Sequence, residues 1–417
     1  MNDRNVYIVG AGISGLVAAL ELEKAGYYPV ILESTDRIGG RIKSEKMDGY
    51  TLDRGFQVLL TSYPEARRYL DFDALELKLF KPGAVILKPG DTFSVHDPFR
   101  NPLRMIPMAF SKVGTLWDKF KMFQLTKMLK KKTIEQIFSS PQTTTLEYLK
   151  DFGFSDRILN NFFIPFYKGV FLETELKTSS RMFEFIFKMF SEGNAALPAK
   201  GMEEIPRQLL AQLKFSKIQY NTKVTKIEKN IIQLESGNTL TADDIIIAAD
   251  AGNLLNEVNN FRYHFVTNIY FTTQQSFMGK AMIGLVPDSH FLINNLVFLT
   301  DISKSYSEDG RALLSVSIVK EMESLDNIEK MVALELEALT GISADFFKHL
   351  KTIQIPQALP DLTDCKHWIP AQHTKVYDHV FMAGDQLLNG SINAAMTSGR
   401  LAAEGVIADI VKEGNIS

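Results

Sequence analysis

The chain of 417 residues has 45% hydrophobic and 23% charged residues, which is typical of a globular protein that folds as two domains or one large interleaved body. Its formal net charge of -3 gives no overall attraction to nucleic acid. The single cysteine, Cys365, excludes an internal disulfide and fits a reducing compartment such as the cytoplasm. An apolar strand begins at Val6 and no run of about 18 or more apolar residues follows, so we expect neither a signal peptide nor a membrane-spanning helix.

The stretch VYIVGAGISGL, residues 6–16, places three glycines between a short apolar run and a helical pattern. A second apolar strand follows and ends at Glu33, so this region predicts a β-α-β unit. In such a unit Gly10 allows the tight turn, Gly12 lets the backbone approach a pyrophosphate, and Gly15 lets the helix pack on the strand. Glu33 would accept hydrogen bonds from the adenosine ribose. The pattern predicts a dinucleotide site but does not separate NAD from FAD.

Three further stretches that contain glycine add to this prediction. STDRIGGRIKS contains Gly39 and Gly40, which leave backbone N–H groups accessible shortly after Glu33. It also contains Arg41, which supplies a cation for the pyrophosphate. In LDRGFQVLL, residues 52–60, Gly55 interrupts an apolar run before a strand-like segment. Near the C-terminus a buried strand turns into AGDQLLNGSINAAMTSGRLAAE, where Asp385 is placed to hold a polyol hydroxyl at another helix start. The alternative for this last stretch is a capped C-terminal helix packed through its alanines.

The combination of GAGISGL, ESTDRIGGR, DRGFQ and AGD…GSINAAMTSGRLAAE resembles the FAD-dependent superfamily that contains phytoene desaturases, protoporphyrinogen oxidases and flavin amine oxidases. It is most similar to the desaturase and porphyrinogen oxidase side. The resemblance implies an α/β fold of the GR2-like flavoprotein kind, in which a Rossmann-type FAD-binding domain is interleaved with an α+β substrate domain containing a mixed sheet and helices. It also implies non-covalent FAD, since Cys365 lacks the surroundings of the cysteine that tethers flavin in some amine oxidases.

Carried over residue by residue, the resemblance assigns parts of the cofactor to different segments of this chain. The pyrophosphate is assigned to Gly10, Gly12, Ser14 and Gly15, the ribose to Glu33 with Ser34, and the pyrophosphate and flavin approach to Gly39, Gly40 and Arg41. The isoalloxazine ring is assigned to Gly55, Phe56 and Gln57, and its pyrimidine end to Ser391, Ile392, Asn393 and Ala394. The ribityl chain or pyrophosphate is assigned to Gly384 and Asp385, the adenine to the backbone of Val224, and the strand end that closes the nucleotide fold to Ala249.

These motifs divide the chain into two sets of segments. Segments 1–75, 196–255 and 366–417 are predicted to form the FAD-binding domain, and segments 76–195 and 256–365 the substrate-binding domain. The substrate segments hold most of the clustered phenylalanines, as in NNFFIPFYKGVF and MFEFIFKMF. Core packing is the alternative for any single ring, but together the rings favour an apolar cavity and an extended apolar small-molecule substrate.

A basic segment at 100–135 is a candidate membrane-contact or lid region. Nine Lys and Arg residues lie between Arg100 and Thr133 against the single acid Asp118, interleaved with aromatic and aliphatic residues. The pattern predicts an amphipathic basic helix. That helix is either a solvated surface helix or a patch that docks on anionic lipid and draws a lipid-soluble substrate from the bilayer. The second interpretation describes a cytoplasmic protein that is peripherally membrane-associated.

No side chain stands out as a strong catalytic base, because flavin carries out the redox chemistry while the protein supplies geometry and excludes water. The polar candidates near the ring are Gln57, Lys280 and Asn393. The three histidines near the C-terminus, spaced six residues apart, match no ligand pattern, so no metal is expected. The sequence has no second glycine fingerprint for a nicotinamide cofactor. Electrons are therefore expected to pass to oxygen, a quinone or another acceptor, unless the net reaction is redox-neutral.

The predicted function is that of an FAD-dependent oxidoreductase of the desaturase or oxidase type. It dehydrogenates or isomerises a polyene, porphyrinogen or lipid-like molecule by hydride transfer to flavin N5. A flavin amine oxidase that produces peroxide is one alternative, disfavoured because the aromatic pair of those enzymes is replaced by Asn389, Gly390, Ser391 and Ile392. The chain also has Thr35 where many relatives have arginine. A flavin-binding partner protein without turnover is the other alternative.

Overall fold

Two large sheets organise the fold, and the first carries the predicted nucleotide motifs. The computed structural model describes residues 4–96, 112–255, 261–322 and 324–414. The strands of the first sheet, in spatial order, are Lys217–Gln219, Val30–Leu32, Val6–Val9, Asp244–Ile247, Val380–Met382 and Lys375–Tyr377. The first five run parallel and the last is antiparallel. The predicted Rossmann-type α/β arrangement is confirmed.

The strands of this sheet are largely apolar because both of its faces are covered. Ile8 belongs to a core shared with helices Ile13–Lys24 and Ile392–Gly414 on one face. Val9 packs on the other face against a meander, whose strands are Val224–Glu228, Ile231–Leu234 and Thr239–Thr241. Two hairpin turns join the three strands of this meander.

The two helices that follow the nucleotide motifs cross each other near their starts. A Cβ at Gly399 would lie 2.2 Å from the carbonyl oxygen of Ser14, so a side chain there would force the helices apart. Helix Glu204–Gln212 also packs against Ile13–Lys24. The crossing therefore brings the N-terminal and C-terminal motifs together.

The second sheet has seven described strands. Their order is Lys348–Pro360, Tyr263–Thr273, Ala312–Ile318, Asn295–Phe298, Ile283–Leu285, Gly83–Lys88 and Asp91–His96. Neighbours are antiparallel except for the parallel pair of Ile283–Leu285 with Gly83–Lys88, so the predicted mixed sheet is confirmed. Leu296 and Phe298 pack on one face with helix Ile328–Thr340, and Val297 faces the core shared with the first sheet.

A layer of helices packs beside the two sheets. Its helices are Leu116–Lys131, Ile134–Ser139, Thr145–Asp151, Asp156–Ile158, the π-helix Leu159–Phe163, Ile164–Phe171 and Ser180–Glu192. Thr115, Thr133 and Thr144 each form a capping box with the residue three positions on, which explains where three of these helices begin. Phe183 and Phe187 are fully buried in the core, in line with the packing alternative for single rings.

Short elements connect these layers. They are the hairpin Ser44–Met47 and Tyr50–Asp53, the three-stranded sheet Leu59–Leu60, Ala195–Leu197 and Lys78–Leu79, helices Pro64–Tyr69 and Leu299–Ile302, and 3-10 turns Ala251–Asn253, Lys304–Tyr306, Ala344–Phe346, Ala371–Thr374 and Asp385–Leu387. The two hairpin turns of the meander contain Lys229 and Gly237, with left-handed φ angles of 53° and 86°.

The predicted segments separate cleanly between the two large sheets. The first sheet takes its strands from the three segments predicted to bind FAD, and the second from the two predicted to hold substrate. The domain boundaries themselves stay a prediction. The predicted basic helix is present over Leu116–Lys131, whereas residues 97–111 of that segment lie outside the described residues. Within the described ranges, every helix is too short or too polar to cross a membrane.

Candidate active site

A cavity of about 740 Å³ lies between the two sheets and the helical layer. The first sheet contributes its glycine turns, the second sheet contributes one wall, and two helices contribute an apolar end. The predicted cofactor residues that line it are Gly10, Gly12, Ser14, Glu33, Ser34, Gly39, Gly40, Arg41, Phe56, Gln57, Ala249, Gly384, Asp385, Ser391 and Ile392. Residues far apart in the sequence thus share one cavity.

The turn between Val6–Val9 and Ile13–Lys24 forms one end of this cavity. Gly10 has a φ of 103°, which favours glycine, and a Cβ there would lie 2.9 Å from the Ala248 carbonyl oxygen. A Cβ at Gly15 would lie 2.1 Å from the Gly10 carbonyl oxygen, so glycine lets the helix sit directly on the turn. The first turn of this helix carries no acidic residue. Its partial positive charge is therefore available to an anion.

Gly12 and Gly40 approach each other at the same end. A Cβ at Gly12 would lie 4.0 Å from the Gly40 Cα, and a Cβ at Gly40 would lie 3.4 Å from the Gly12 Cα. The N–H of Gly39 donates to the Ala11 carbonyl at 2.9 Å, which ties the second glycine pair to the first turn. Bare backbone on both segments is the cradle that a diphosphate requires.

Glu33 is held rigidly at the end of its strand. It is 6% exposed, and its Oε2 accepts the N–H of Ala11 at 2.8 Å. Its Oε1 accepts both the N–H and the hydroxyl of Thr35, at 2.9 and 2.8 Å. The predicted ribose acid is thus fixed beside the glycine turn, and Thr35 supports it with its N–H and its hydroxyl.

Lys43 is a residue that the sequence reasoning missed. Its Nζ donates to the Thr35 hydroxyl at 3.1 Å, it lines the cavity, and it is only 9% exposed. Burial lowers the pKa of Lys43, while the nearby carboxylate of Glu33 opposes that effect. A buried cation on a cavity wall favours an anionic ligand. The available signal was its place two residues after Arg41 in the GGRIK motif.

Arg41 and Asp385 join the N-terminal and C-terminal motifs. The guanidinium Nη2 forms an ion pair with Asp385, and Nη1 donates to the Ala358 carbonyl at 3.4 Å. Burial opposes the charge of Arg41, but Asp385 outweighs it and raises the pKa of the guanidinium. Helix Ile392–Gly414 begins next to this pair. Two helix starts from opposite ends of the chain therefore face one cavity.

The Ser391 side chain caps that second helix start. Its hydroxyl oxygen accepts the N–H of Ala394 at 3.0 Å, and the hydroxyl donates to Asn389 Oδ1 at 2.7 Å. Asn389 in turn donates to the Lys366 carbonyl at 2.8 Å. The segment is thus organised by polar contacts among small side chains, not by an aromatic pair.

Asp53 anchors the loop that carries the predicted ring-contacting residues. Its Oδ2 accepts the Tyr306 hydroxyl at 2.7 Å, its Oδ1 accepts the Met202 N–H at 2.9 Å, and its carbonyl accepts the Tyr270 hydroxyl at 2.7 Å. Burial raises the pKa of Asp53. A strand of the second sheet and the turn Lys304–Tyr306 therefore fix this loop of the predicted FAD-binding segments. No local sequence pattern indicates these contacts.

Phe56 and Gln57 follow on this loop and line the cavity. Gly55 before them has a φ of 83°, and a Cβ there would lie 2.6 Å from Ile355 Cδ1. Gln57 Nε2 donates to the Arg41 carbonyl at 3.2 Å. Gln57 is thus held against the backbone of the second glycine motif. Gly55 shapes the loop without lining the cavity.

The far end of the cavity is an apolar chamber. Two helices, Ile164–Phe171 and Ser180–Glu192, supply its wall, and the residues they place on the cavity are Phe166, Gly169, Val170, Phe171, Met182, Ile186 and Phe190. These contribute no charged group. The chamber therefore suits a ligand with extended apolar surface.

Several predicted residues lie away from the cavity. Gly15 packs behind the first turn, Val224 pairs with Leu234 in the meander, and Asn393 Oδ1 accepts the Glu65 N–H at 3.0 Å. The others that do not line it are Gly55, Ala394 and Lys280. Lys280 is exposed and its Nζ donates to the Ser94 hydroxyl at 2.9 Å. Of the three polar catalytic candidates, only Gln57 lines the cavity.

Other cavity residues were not singled out from the sequence. Among them are Arg54 and Asp250, which follow strands Tyr50–Asp53 and Asp244–Ile247, and Tyr263 and Asn295 on strands of the second sheet. Burial raises the pKa of Tyr263 to about 12, so its hydroxyl stays protonated at neutral pH. Across the described residues, three or more His, Cys, Asp or Glu side chains are nowhere grouped to hold a metal ion.

The residues present fit a flavin dinucleotide. The glycine cradle, the first helix start and the buried Lys43 suit a diphosphate, and Glu33 suits a ribose. The second helix start, at Ser391 and Ile392, and the loop of Phe56 line the same cavity, where the flavin ring is expected. A sheet of this topology with such a cavity defines a dinucleotide-dependent oxidoreductase.

The particular family follows from comparison with known proteins. Residues 13–407 match the family model described as flavin containing amine oxidoreductase, and the chain belongs to that family. The protein is therefore a flavin-dependent oxidoreductase, and the nucleotide is FAD.

Three similar proteins illustrate the breadth of that family. The 15-cis-phytoene desaturase of Narcissus pseudonarcissus is 23% identical over 457 residues, which cover 97% of this chain and 79% of that protein. A crystal structure of an oxidoreductase from Methanosarcina mazei has a TM-score of 0.74 at 17% identity, covering 96% of this chain and 100% of that one. Cyclohexylamine oxidase from Brevibacterium oxydans IH-35A has a TM-score of 0.69 at 16% identity, covering 98% and 100%. The structural likenesses show the fold.

Proposed function

We propose that this protein dehydrogenates, or isomerises, an extended apolar molecule such as a polyene, a porphyrinogen or a lipid-like compound. The observation that supports this most is the chamber wall, where helices Ile164–Phe171 and Ser180–Glu192 present only apolar side chains and one glycine. The similarity to a phytoene desaturase over 97% of the chain points the same way. A small charged substrate would find no counter-charge on this wall.

In this proposal the residues of the chain bind FAD, orient the substrate and exclude water from the chamber. Bound FAD supplies the chemistry, by accepting a hydride at N5. The glycine cradle and Lys43 would hold the diphosphate and Glu33 would hold the ribose, while the Asp53 network fixes the loop that places Phe56 and Gln57 on the cavity. The apolar wall keeps a C–H bond of the substrate in a dry chamber, so no strong base is needed.

FAD is bound non-covalently in this proposal. Cys365 lines the cavity but is 2% exposed, and burial raises its thiol pKa to about 12. Such a thiol is not a nucleophile at neutral pH. The electron acceptor is oxygen or a quinone, because the sequence carries one glycine fingerprint and that one serves FAD.

An amine oxidase is the second candidate function, favoured by the fold shared with a cyclohexylamine oxidase. Against it, the segment 389–392 carries Asn, Gly, Ser and Ile, and its polar side chains hydrogen-bond to each other and to backbone. An amine would meet no aromatic pair there.

Anaerobic reduction of the bound flavin tests the proposal. Purified holoprotein is mixed without oxygen with a linear polyene, a porphyrinogen or a series of primary amines, and the visible flavin absorbance is followed. Bleaching by the polyene or porphyrinogen supports the proposal. Bleaching by amines alone, with release of ammonia, would replace it with the amine oxidase. A flavin that none of them reduces, together with recovery of every compound unchanged, would contradict the proposed substrate class, because an isomerisation alters the substrate without net reduction of the flavin.

The helix Leu116–Lys131 is proposed to dock on a membrane surface that supplies the substrate. Leu116, Trp117, Phe120 and Phe123 are 79%, 57%, 47% and 41% exposed, and they recur at helical spacing. Lys121 lies 5.0 Å from the Trp117 ring centroid, so cationic and aromatic groups are interleaved as in interfacial helices. Each basic residue near anionic lipid contributes about 1 kcal/mol.

This surface is one helix away from the apolar chamber. Leu116–Lys131 packs on Ser180–Glu192, where Lys188 donates to the Leu129 carbonyl at 3.1 Å. The second helix in turn places Met182, Ile186 and Phe190 on the cavity. The proposed docking surface and the chamber are therefore separated by a single layer of helix.

Flotation with vesicles tests this docking. The protein is expected to float with phosphatidylserine-containing vesicles at low salt, and the double variant Trp117→Ser with Phe120→Ser is expected to stay in the dense fraction. Phe346→Ser, which changes a phenylalanine that is 63% exposed elsewhere on the surface, is the matched control and should still float. No flotation of the wild type, or equal flotation of the double variant, would contradict the docking.

A further inference from the structure

One polar side chain lies in the wall of the apolar chamber with its carbonyl oxygen unpaired. Asn295 begins strand Asn295–Phe298, lines the cavity and is 4% exposed. No donor in the described part of the chain reaches its buried Oδ1. A buried amide oxygen without a donor is destabilising. Oδ1 itself has no surface on the cavity, and Nδ2 is the amide atom next to Gly169, so a ligand supplies the partner once a half-turn of the amide places Oδ1 where Nδ2 now lies.

The neighbouring strands explain why the protein does not supply this donor. Asn295 lies opposite Ser317, and Ser317 lies opposite Asn268 on the next strand, so the three side chains share one face of the sheet. The hydroxyls of Ser315 and Ser317 both donate to Asn268 Oδ1, at 3.0 and 3.3 Å. The Ser317 proton is therefore committed to Asn268 and is not available to Asn295.

Asn268 provides a contrast on the same row. Its Nδ2 also lacks a partner, but Asn268 is 0% exposed and does not line the cavity. Asn295 is the member of the row that a ligand in the chamber reaches.

The helix that faces Asn295 is shaped around its amide. A Cβ at Gly169 would lie 2.5 Å from Asn295 Nδ2 and 3.0 Å from Asn294 Nδ2, so a side chain there would displace both amides. Asn294 donates to the Pro165 carbonyl at 3.2 Å, which joins strand and helix, and it does not line the cavity. Gly169 thus leaves the Asn295 amide in the chamber wall beside Phe166.

We infer that Asn295 is the polar anchor of the substrate chamber, and that the substrate is an extended apolar molecule carrying a hydroxyl, amino or amide group, not a pure hydrocarbon. This inference rests on the proposed function, because the chamber holds a substrate only if the cavity serves the proposed reaction. A half-turn of the amide exchanges Oδ1 and Nδ2 with little change in shape. A hydroxyl, which both donates and accepts, pairs with either atom.

A matched pair of polyenes tests the inference on the FAD-loaded protein. Retinol and the same polyene with a methyl group in place of the hydroxymethyl group are titrated, and binding is followed by polyene fluorescence. The wild type is expected to bind retinol about 5- to 150-fold more tightly, the range of one buried hydrogen bond. Asn295→Leu, which keeps the approximate shape without the amide, is expected to bind the two equally.

The adjacent asparagine provides the control. Asn294→Leu is expected to keep the preference for the alcohol, because that side chain does not line the cavity. Asn295→Ser retains a hydroxyl and should keep part of it. Unfolding by urea gives a second readout, in which Asn295→Leu is at least as stable as the wild type, since it removes an unpaired buried oxygen.

The outcomes separate this inference from the function on which it rests. A yellow protein that binds both polyenes equally, an Asn295→Leu variant that keeps the preference, or one that is clearly less stable overturns the role of Asn295 alone. A yellow protein that binds neither polyene overturns the apolar substrate class as well. A protein that carries no flavin overturns the proposed function before Asn295 is considered.

Discussion

Replacing Gly12 by alanine separates cofactor binding from folding. The backbone at Gly12 has φ −75° and ψ −178°, which any residue adopts, and the nearest heavy atom to an added Cβ lies 4.0 Å away. We expect the FAD-free protein to change in stability by no more than about 1 kcal/mol, with a gain favoured because alanine restricts the unfolded chain. The same methyl group stands where the diphosphate must approach the backbone.

The loss of FAD affinity follows from that crowding. Forcing a methyl group into a filled contact costs about 1–3 kcal/mol, which corresponds to FAD binding that is about 5- to 150-fold weaker. Gly15→Ala is the contrasting variant, because its Cβ would lie 2.1 Å from the Gly10 carbonyl oxygen. That helix must move by about 1 Å, so stability and FAD affinity should both fall.

The assay uses protein stripped of FAD. Urea unfolding gives the stability of each variant, and quenching of flavin fluorescence on titration gives its FAD affinity. If Gly12→Ala binds FAD as tightly as the wild type, the diphosphate does not approach Gly12 and the cradle is wrongly placed. If Gly12→Ala is destabilised as much as Gly15→Ala, the argument from open space fails.

Three further predictions concern residues around the cavity. Lys43→Met should weaken FAD binding about 10- to 150-fold by fluorescence titration. Lys46→Met, which changes an exposed lysine on the strand that follows, should not, and equal effects would refute the role of Lys43. Asn393→Ala should lower the free energy of unfolding by about 1–3 kcal/mol, because the buried Glu65 N–H loses its acceptor. The FAD affinity should stay unchanged. A variant with normal stability that no longer binds FAD would instead make Asn393 a cofactor contact. The pKa of Asp53 is higher in the folded protein than in the unfolded chain, where it is about 3.9. The protonated carboxyl therefore stabilises the fold below that unfolded pKa, and this contribution is lost as pH rises through the folded pKa. Relative to Asp53→Asn, the wild type should therefore lose stability in urea unfolding as pH rises above about 4, and a pH-independent difference would contradict the buried carboxyl.

Motifs of consecutive residues were enough to predict those parts of the site that each lie within one short segment of the chain. The turn of Gly10, Gly12 and Gly15 and the strand that ends before Glu33 lie within one β-α-β unit, whose spacing is set by the geometry of one helix on two strands. The second helix start was predicted for the same reason, since Ser391 provides a cap just before the apolar helical pattern.

Tertiary contacts decided what the sequence could not predict. Asp53 is fixed by Tyr270 and Tyr306, which lie more than 200 residues later on the second sheet and its flank. Asn295 reaches the chamber because its strand pairs with Ala312–Ile318 in a register that no single strand specifies. Asn393 shows the reverse, since one turn of helix directs its side chain to the Glu65 backbone and away from the cavity.

The central claim is that two helix starts from opposite ends of the chain bind one FAD, the first at its diphosphate and the second at its flavin end. The most direct measurement is the visible spectrum of the purified protein, taken after incubation with excess FAD and removal of the unbound nucleotide. The account predicts a yellow protein with one FAD per chain, which releases intact FAD on denaturation because the link is non-covalent. A protein that stays colourless after this treatment would contradict it.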